Sequence, residues 1–334
     1  MWPVVGHDWA VRLLANSLAE GRVSHAYLFI GPHHIGKTTM ALSLAQALNC
    51  TGEERPCGEC LSCQRIKRGI HPDLRLVDLE YQRWVGESEG DSRLLGIEAI
   101  RTILGEAALT PFEGKWKAFI IPEAERMTPE AANCLLKTLE EPPSQVVLLL
   151  TALHSGLLFP TIVSRCQIFN LRLVAIDLIR EELERRWGLE ERRAALLASL
   201  SAGRIGWAIS AAQDGALLER REGNLNELLS LPQMSRLERL AFAERLSREP
   251  QGARESLELW LGWWRDLLLV KGGCPERVEN VDRREILARE ASGYSIEEIE
   301  GFVAAIWRTI DQLDDNINLR LALEVLLLDL PGGR

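Results

Sequence analysis

Gly31-Pro32-His33-His34-Ile35-Gly36-Lys37-Thr38 is the stretch that decides the fold class of this chain. Its spacing is glycine, four residues, glycine, lysine and threonine, and Thr39 continues it. It follows the short apolar run Ala26-Tyr27-Leu28-Phe29-Ile30 and opens a helical pattern from about Thr38 to Leu48. Glycines let the backbone curl until its N–H groups converge on phosphate oxygens. The helix N-terminus adds a favourable dipole, Lys37 a point charge, and the Thr38 hydroxyl a ligand for Mg²⁺. Residues 31–39 are therefore read as a nucleotide site for ATP with Mg²⁺, or as the descendant of one.

Working outward, Leu74 to Leu79, Ala118 to Ile121 and Val146 to Leu150 are further apolar runs. Uninterrupted runs separated by helical patterns predict parallel strands buried on both faces. Between the last two lies a helix with Thr128 as cap, Pro129 in its first turn and Pro142-Pro143 as its stop. After about Leu171 strand signals end. Ile176 to Trp187, Glu191 to Leu200 and Ile205 to Gln213 read as three helices, and from Asn224 onward the pattern is all helical, broken near Gly272-Gly273. The expected organisation is an α/β domain over 1–171, a helical lid over 172–215 and a helical domain over 224–334. Trp260, Trp263 and Trp264 share one face of the last domain, a pattern of core or subunit interface, and interface is the expectation.

Nucleotide hydrolysis usually needs an acidic pair at the end of a second strand. Here Phe119-Ile120-Ile121 runs into Pro122-Glu123, so the first acidic position has no metal-coordinating side chain. Glu123 is either a catalytic remnant or a solvated charge. Turnover should be weak or absent even where binding survives.

Cys50, Cys57, Cys60 and Cys63 make up four of the seven cysteines and fall within fourteen residues. Two overlapping Cys-x-x-Cys steps can wrap one tetrahedral ion, the fourth thiolate arriving from the end of the preceding helix. Gly58 suits the turn between them. Four sulfurs leave no open coordination position, so the expected ion is structural Zn²⁺ holding a small module at about 50–63. Cys134, Cys166 and Cys274 show no partner spacing and read as ordinary buried thiols.

Composition sets outer limits. With 46% hydrophobic and 26% charged residues the chain reads as a soluble globular protein. No run approaches the roughly 18 apolar residues of a membrane span, and charges interrupt the N-terminal segment, so a cytoplasmic protein without membrane contact is expected. A net charge of -9 argues against a protein that grips nucleic acid by its own basic surface, since such binding works through released counterions. The same charge makes a free-standing zinc-dependent nucleic-acid binder the weakest alternative.

Several segments now carry a resemblance. Val5-Gly6-His7, Ser24-His25-Ala26-Tyr27-Leu28-Phe29, the run from Ala131 through Leu135-Leu136-Lys137-Thr138-Leu139-Glu140-Glu141 to Pro142-Pro143, and Ser164-Arg165-Cys166 resemble clamp-loader subunits of the AAA+ class. The tail Asn316-Ile317-Asn318-Leu319-Arg320-Leu321-Ala322-Leu323-Glu324 is similar to the end of that family's helical collar domain. The resemblance implies an AAA+ P-loop domain with parallel sheet and zinc module, a three-helix lid and an all-α collar. Two departures separate this chain from the ATP-hydrolysing gamma/tau-type motors: Pro122 in the acidic pair, and Gly206 where the motors carry a lid arginine. Arg204 lies two residues earlier, about 200° around a helix, and should face elsewhere.

What the resemblance then implies is a weakly or non-hydrolysing stator of a DNA polymerase III loader, with a gamma/tau-type motor as the alternative. Its partners would be gamma/tau and delta subunits, the sliding clamp, and primer-template DNA in the assembled complex. The chain would have no polymerase site of its own. Arg165 would act as an arginine finger in a neighbour's ATP site.

Overall fold

The computed structural model describes residues 2–86, 94–314 and 318–332. Residues 316–317 of the collar-like tail lie outside the described residues. The chain divides into two compact units, Met1–Leu178 with Arg204–Gly206, and Ile179–Gly203 with Trp207–Arg334.

The first unit is built on a parallel sheet of β1 (Ala26–Ile30), β2 (Leu74–Leu76), β3 (Lys117–Ile121), β4 (Val146–Ala152) and β5 (Gln167–Asn170), in the order β2-β3-β4-β1-β5. Its helices are α1 (Asp8–Ala19), α2 (Lys37–Asn49), α3 (Leu61–Lys67), α4 (Leu79–Trp84), α5 (Ile97–Ala107), α6 (Pro129–Glu140) and the short α7 (Pro160–Val163). β1, β3 and β4 are buried along their whole length, which is why their sequences show no alternation. Leu28, Phe119, Ile121, Leu148 and Leu150 pack with Ile100 and Ile103 of α5 and Leu135 and Leu139 of α6. α2 contacts β1, β3 and β4. Thr128 caps α6 by accepting the Ala131 N–H at 3.2 Å, with Pro129 in the first turn, as its sequence dictates.

Two strand expectations need correction. The run Leu74 to Leu79 is a strand only to Leu76; Asp78 then caps α4 by accepting the Glu80 and Tyr81 N–H groups. β5 has no counterpart among the apolar runs. Of its four residues only Phe169 is buried, so an edge strand leaves almost no apolar signal.

The polypeptide continues through α8 (Ile176–Trp187), α9 (Glu191–Leu200) and α10 (Ile205–Gln213), with the bounds that periodicity predicts. α11 (Ala216–Ser230) begins eight residues before the expected start of the helical domain, and α12 (Arg236–Ser247), α13 (Pro250–Lys271), α14 (Arg284–Ser292), α15 (Ile296–Asp314) and α16 (Leu319–Leu328) complete it. Trp260, Trp263 and Trp264 of α13 are at most 2% exposed and form the core of the second unit, which overturns the interface expectation. Trp264 lies 4.6 Å from Phe302 and 5.1 Å from Tyr294, ring centre to ring centre, within the range of favourable tilted aromatic pairs. An amphipathic face says that something covers it, not what. Cys134, Cys166 and Cys274 are half-buried rather than buried. Among the described residues no helix is long and apolar enough to cross a membrane.

Candidate nucleotide site and cysteine centre

The phosphate loop joins the buried end of β1 to the start of α2. A side chain at Gly31 would put its Cβ 2.5 Å from the Leu171 carbonyl oxygen, so only glycine fits. Gly36 is the N-cap of α2 at φ +99°, a left-handed conformation that glycine adopts without strain, and it offers no capping side chain. A helix start without a capping side chain is the arrangement that suits phosphate oxygens at a helix N-terminus. Lys37 is buried, and its Nζ donates to the carbonyls of Gly31 at 2.6 Å and Pro32 at 2.8 Å. Two outside segments brace the loop. The His7 ring reaches the Ile35 carbonyl at 3.3 Å, and burial pushes its pKa below the usual histidine range. The Gly206 N–H donates to the His34 carbonyl at 2.8 Å, and a Cβ there would stand 2.7 Å from that same oxygen.

Beside the loop, β3 ends at Ile121 and turns through Pro122 into Glu123, whose φ is +47°. The Glu123 N–H donates to the Thr151 hydroxyl at 3.1 Å, tying the ends of β3 and β4 together. The Glu123 carboxylate is partly exposed and pairs with Arg126 Nε at 2.8 Å; His33 Nδ1 lies 3.9 Å away. Glu125 is the more unusual acid. One of its oxygens accepts the Leu153 N–H at 3.1 Å, while the other is buried with no hydrogen-bond partner. Burial raises its pKa, with the Glu123 charge adding to the effect. Thr151 and Glu125 escaped the sequence reading. The available signals were a hydroxyl at the tip of an apolar strand and a second acid two residues after Glu123.

Arg165 lies in the turn between α7 and β5. Its guanidinium donates to Glu140 at 2.7 Å and to the Thr161 carbonyl at 2.9 Å, with the Ser164 hydroxyl at 3.4 Å. Its neighbour Cys166 packs against the sheet core, and burial pushes that thiol up to about 12.

The four clustered cysteines come together. Cys50 follows α2 as its C-cap, Cys57 sits in the following loop, Cys60 caps α3 and Cys63 lies in it. Their sulfurs all lie within 4.8 Å of one another. Four thiolates about 2.3 Å from a shared zinc would stand about 3.8 Å apart, so the set fits a tetrahedral ion after a small contraction. Backbone N–H groups already point at the sulfurs: Gly52 and Cys57 at Cys50, Cys60 at Cys57, and Cys63 at Cys60, all between 3.3 and 3.4 Å. Gly58 takes φ +78° in the tight turn. Burial works to raise the Cys60 thiol, but hydrogen bonds from Thr51 and Cys63 outweigh it and bring it to about 6. Burial raises Cys63.

Two polar side chains that flank the cysteine module in sequence hold the loop before β3, and their residue types alone do not single them out. The buried Asp73 accepts the N–H groups of Phe112, Glu113 and Gly114 at 2.6 to 2.9 Å. Asn49 at the end of α2 accepts those of Lys115 and Trp116 at 2.8 and 2.9 Å.

Comparison with known proteins accords with this construction. Residues 6–175 match the family described as DNA polymerase III, delta subunit, and residues 216–331 match DNA polymerase III, delta subunit, C terminal. The delta' subunit of DNA polymerase III from Bacillus subtilis is 28% identical over 97% of this chain and 95% of its own length. The tau subunit from Salmonella typhimurium is 39% identical over 54% of this chain, which spans only 27% of that relative. Among solved structures, a DNA polymerase III gamma subunit-related protein from Thermotoga maritima aligns with 98% of this chain and 99% of its own at 20% identity and a TM-score of 0.42. With a family match over residues 6–175 that takes in the phosphate loop and the whole parallel sheet, the chain belongs to the DNA polymerase III delta-subunit family.

Proposed function

We propose that this chain is a delta-prime-like stator of the bacterial clamp loader, acting in ATP-dependent loading of the sliding clamp onto primed DNA in the cytoplasm. The observation that carries the reading is a shaped phosphate loop with no acid at position 122 and no room for a side chain at Gly206. Residues 31–39 would hold ATP, with Thr38 on Mg²⁺, while Glu123 is left as a remnant paired to Arg126. Phosphoryl transfer depends on metal electrostatics and positioning, so the loss of a metal-binding acid harms turnover far more than phosphate contact. A gamma/tau-type motor would need both missing features.

In this reading the partners are gamma/tau and delta subunits, the clamp and primer-template DNA. Cys50, Cys57, Cys60 and Cys63 hold structural zinc, which keeps a module rigid beside the nucleotide site and takes no part in chemistry. Arg165 is the chain's catalytic contribution: presented to a neighbour's ATP, its planar fork would meet the charge that develops on the γ-phosphate.

The test has two arms. The isolated chain should hydrolyse ATP well below the ordinary enzyme scale of ~1 to 10 per second; turnover at that scale would return it to the motors. In the reconstituted loader, Arg165→Ala should slow clamp- and DNA-stimulated ATPase and clamp loading while the complex still assembles. Fingers supplied in trans are worth roughly 10³ to 10⁵ at one site in GTPases, and the loss is diluted in a ring with several sites. An assembled Arg165→Ala loader working at the wild-type rate would reject the finger.

A further inference from the structure

Glu140 is the last residue of α6, where the helix dipole is negative and a carboxylate is disfavoured. Its carboxylate nevertheless takes one Arg165 Nη at 2.7 Å, while the other Nη is held by the Thr161 carbonyl at 2.9 Å. The backbone on either side is anchored, by Ile162 in the core and by Cys166 against it. What can move is the arginine side chain, 34% exposed, and the glutamate, 52% exposed. We propose that Glu140 is a positioning residue that holds Arg165 back from the neighbouring ATP site until a bound γ-phosphate competes for it. The proposal rests on the finger reading of Arg165.

The competition is balanced by exposure and charge. An exposed ion pair is weak and screened by salt, so Glu140 can delay the arginine without trapping it. A phosphate group offers more charge and several oxygens in a bidentate geometry, where Glu140 offers one oxygen. Closing the subunit interface on ATP therefore transfers the guanidinium from carboxylate to phosphate. While the interface is open, Glu140 keeps the arginine neutralised and basal hydrolysis low.

Glu140→Gln tests this in the assembled loader. The side chain keeps its shape and loses its charge, so ATP turnover without clamp and DNA should rise at the served site by about 1.5- to 5-fold, the worth of one exposed ion pair. The fully stimulated rate should not change, because Arg165 is then already engaged. The difference should shrink between about 0.01 and 0.15 M salt, as the screening length falls from about 30 to about 8 Å. A basal rate equal to or below wild type at low salt overturns the hold. So does a double variant, Glu140→Gln with Arg165→Ala, that is faster than Arg165→Ala alone. Failure of the parent reading looks different: Arg165→Ala by itself then leaves the stimulated rate unchanged. If the variant loader does not assemble, phenylglyoxal labelling of Arg165 in the free chain decides. It should be about 1.5- to 5-fold faster in Glu140→Gln, and unchanged labelling refutes the proposal.

Discussion

α2 carries a different site at each end. Lys37 opens it at the phosphate loop and Cys50 closes it at the cysteine cluster, thirteen residues and about 20 Å apart. At the first end the protein supplies backbone and one ammonium, and Lys37 is bonded to its own loop. At the second end all four donors are present, gathered within 4.8 Å, with backbone N–H groups aimed at the sulfurs. The cysteine site is complete in one short segment. The loop at the first end is flanked by strand ends remote in sequence, one of which runs from Ile121 into Pro122 and Glu123. A helix can thus carry one end built from a single segment and another whose surroundings come from distant strands.

The sharpest way to break this contrast is Cys60→Ser. Structural zinc binding in zinc-finger peptides is worth of order 10 kcal/mol and is itself folding energy, so it sets a ceiling for the expected loss. Metal analysis should fall from close to one zinc per chain, and thermal denaturation should show early melting of the region around residues 50–72. Metal-free wild-type protein with equal stability would end the zinc reading.

Next comes Lys37→Ala. Hydrogen bonds to charged groups contribute about 1.5–3 kcal/mol, which corresponds to ATP affinity lower by roughly 10- to 100-fold in an equilibrium titration. Zinc content should stay at the wild-type value. If it drops, the two ends of α2 are not separable.

The smallest effect belongs to Asp73, which ties the start of β2 to the loop before β3. Burial works to raise its pKa, but the N–H groups of Phe112, Gly114 and Glu113 outweigh it and hold the carboxyl below its ordinary range. A depressed folded-state value means stabilisation complete above about pH 4 and lost as pH falls through that lower value. Asp73→Ala should cost about 1–3 kcal/mol at neutral pH by leaving those donors unpaired. Against wild type, that deficit should narrow in acid denaturation curves; a deficit that does not vary with pH would show that the charge is not what matters.

What could be read without the fold was whatever neighbouring residues encode together. The loop 31–39, the four cysteines, the cap and stop of α6 and the apolar runs of β1, β3 and β4 are local patterns, because turn geometry, helix capping and ligand spacing act over a few residues. Their family resemblance is local in the same way. Only the tertiary structure decided which distant groups meet: Glu125 with Leu153 across two strand ends, Arg165 with Glu140 across twenty-five positions, and Asp73 with the backbone of residues 112–114. It also buried Trp260, Trp263 and Trp264 in a core, where the sequence allowed either core or interface. The physical reason is common to all of these cases. A side chain's polarity states that it needs a partner, and its period states which way it faces, but the partner is chosen by how the elements pack.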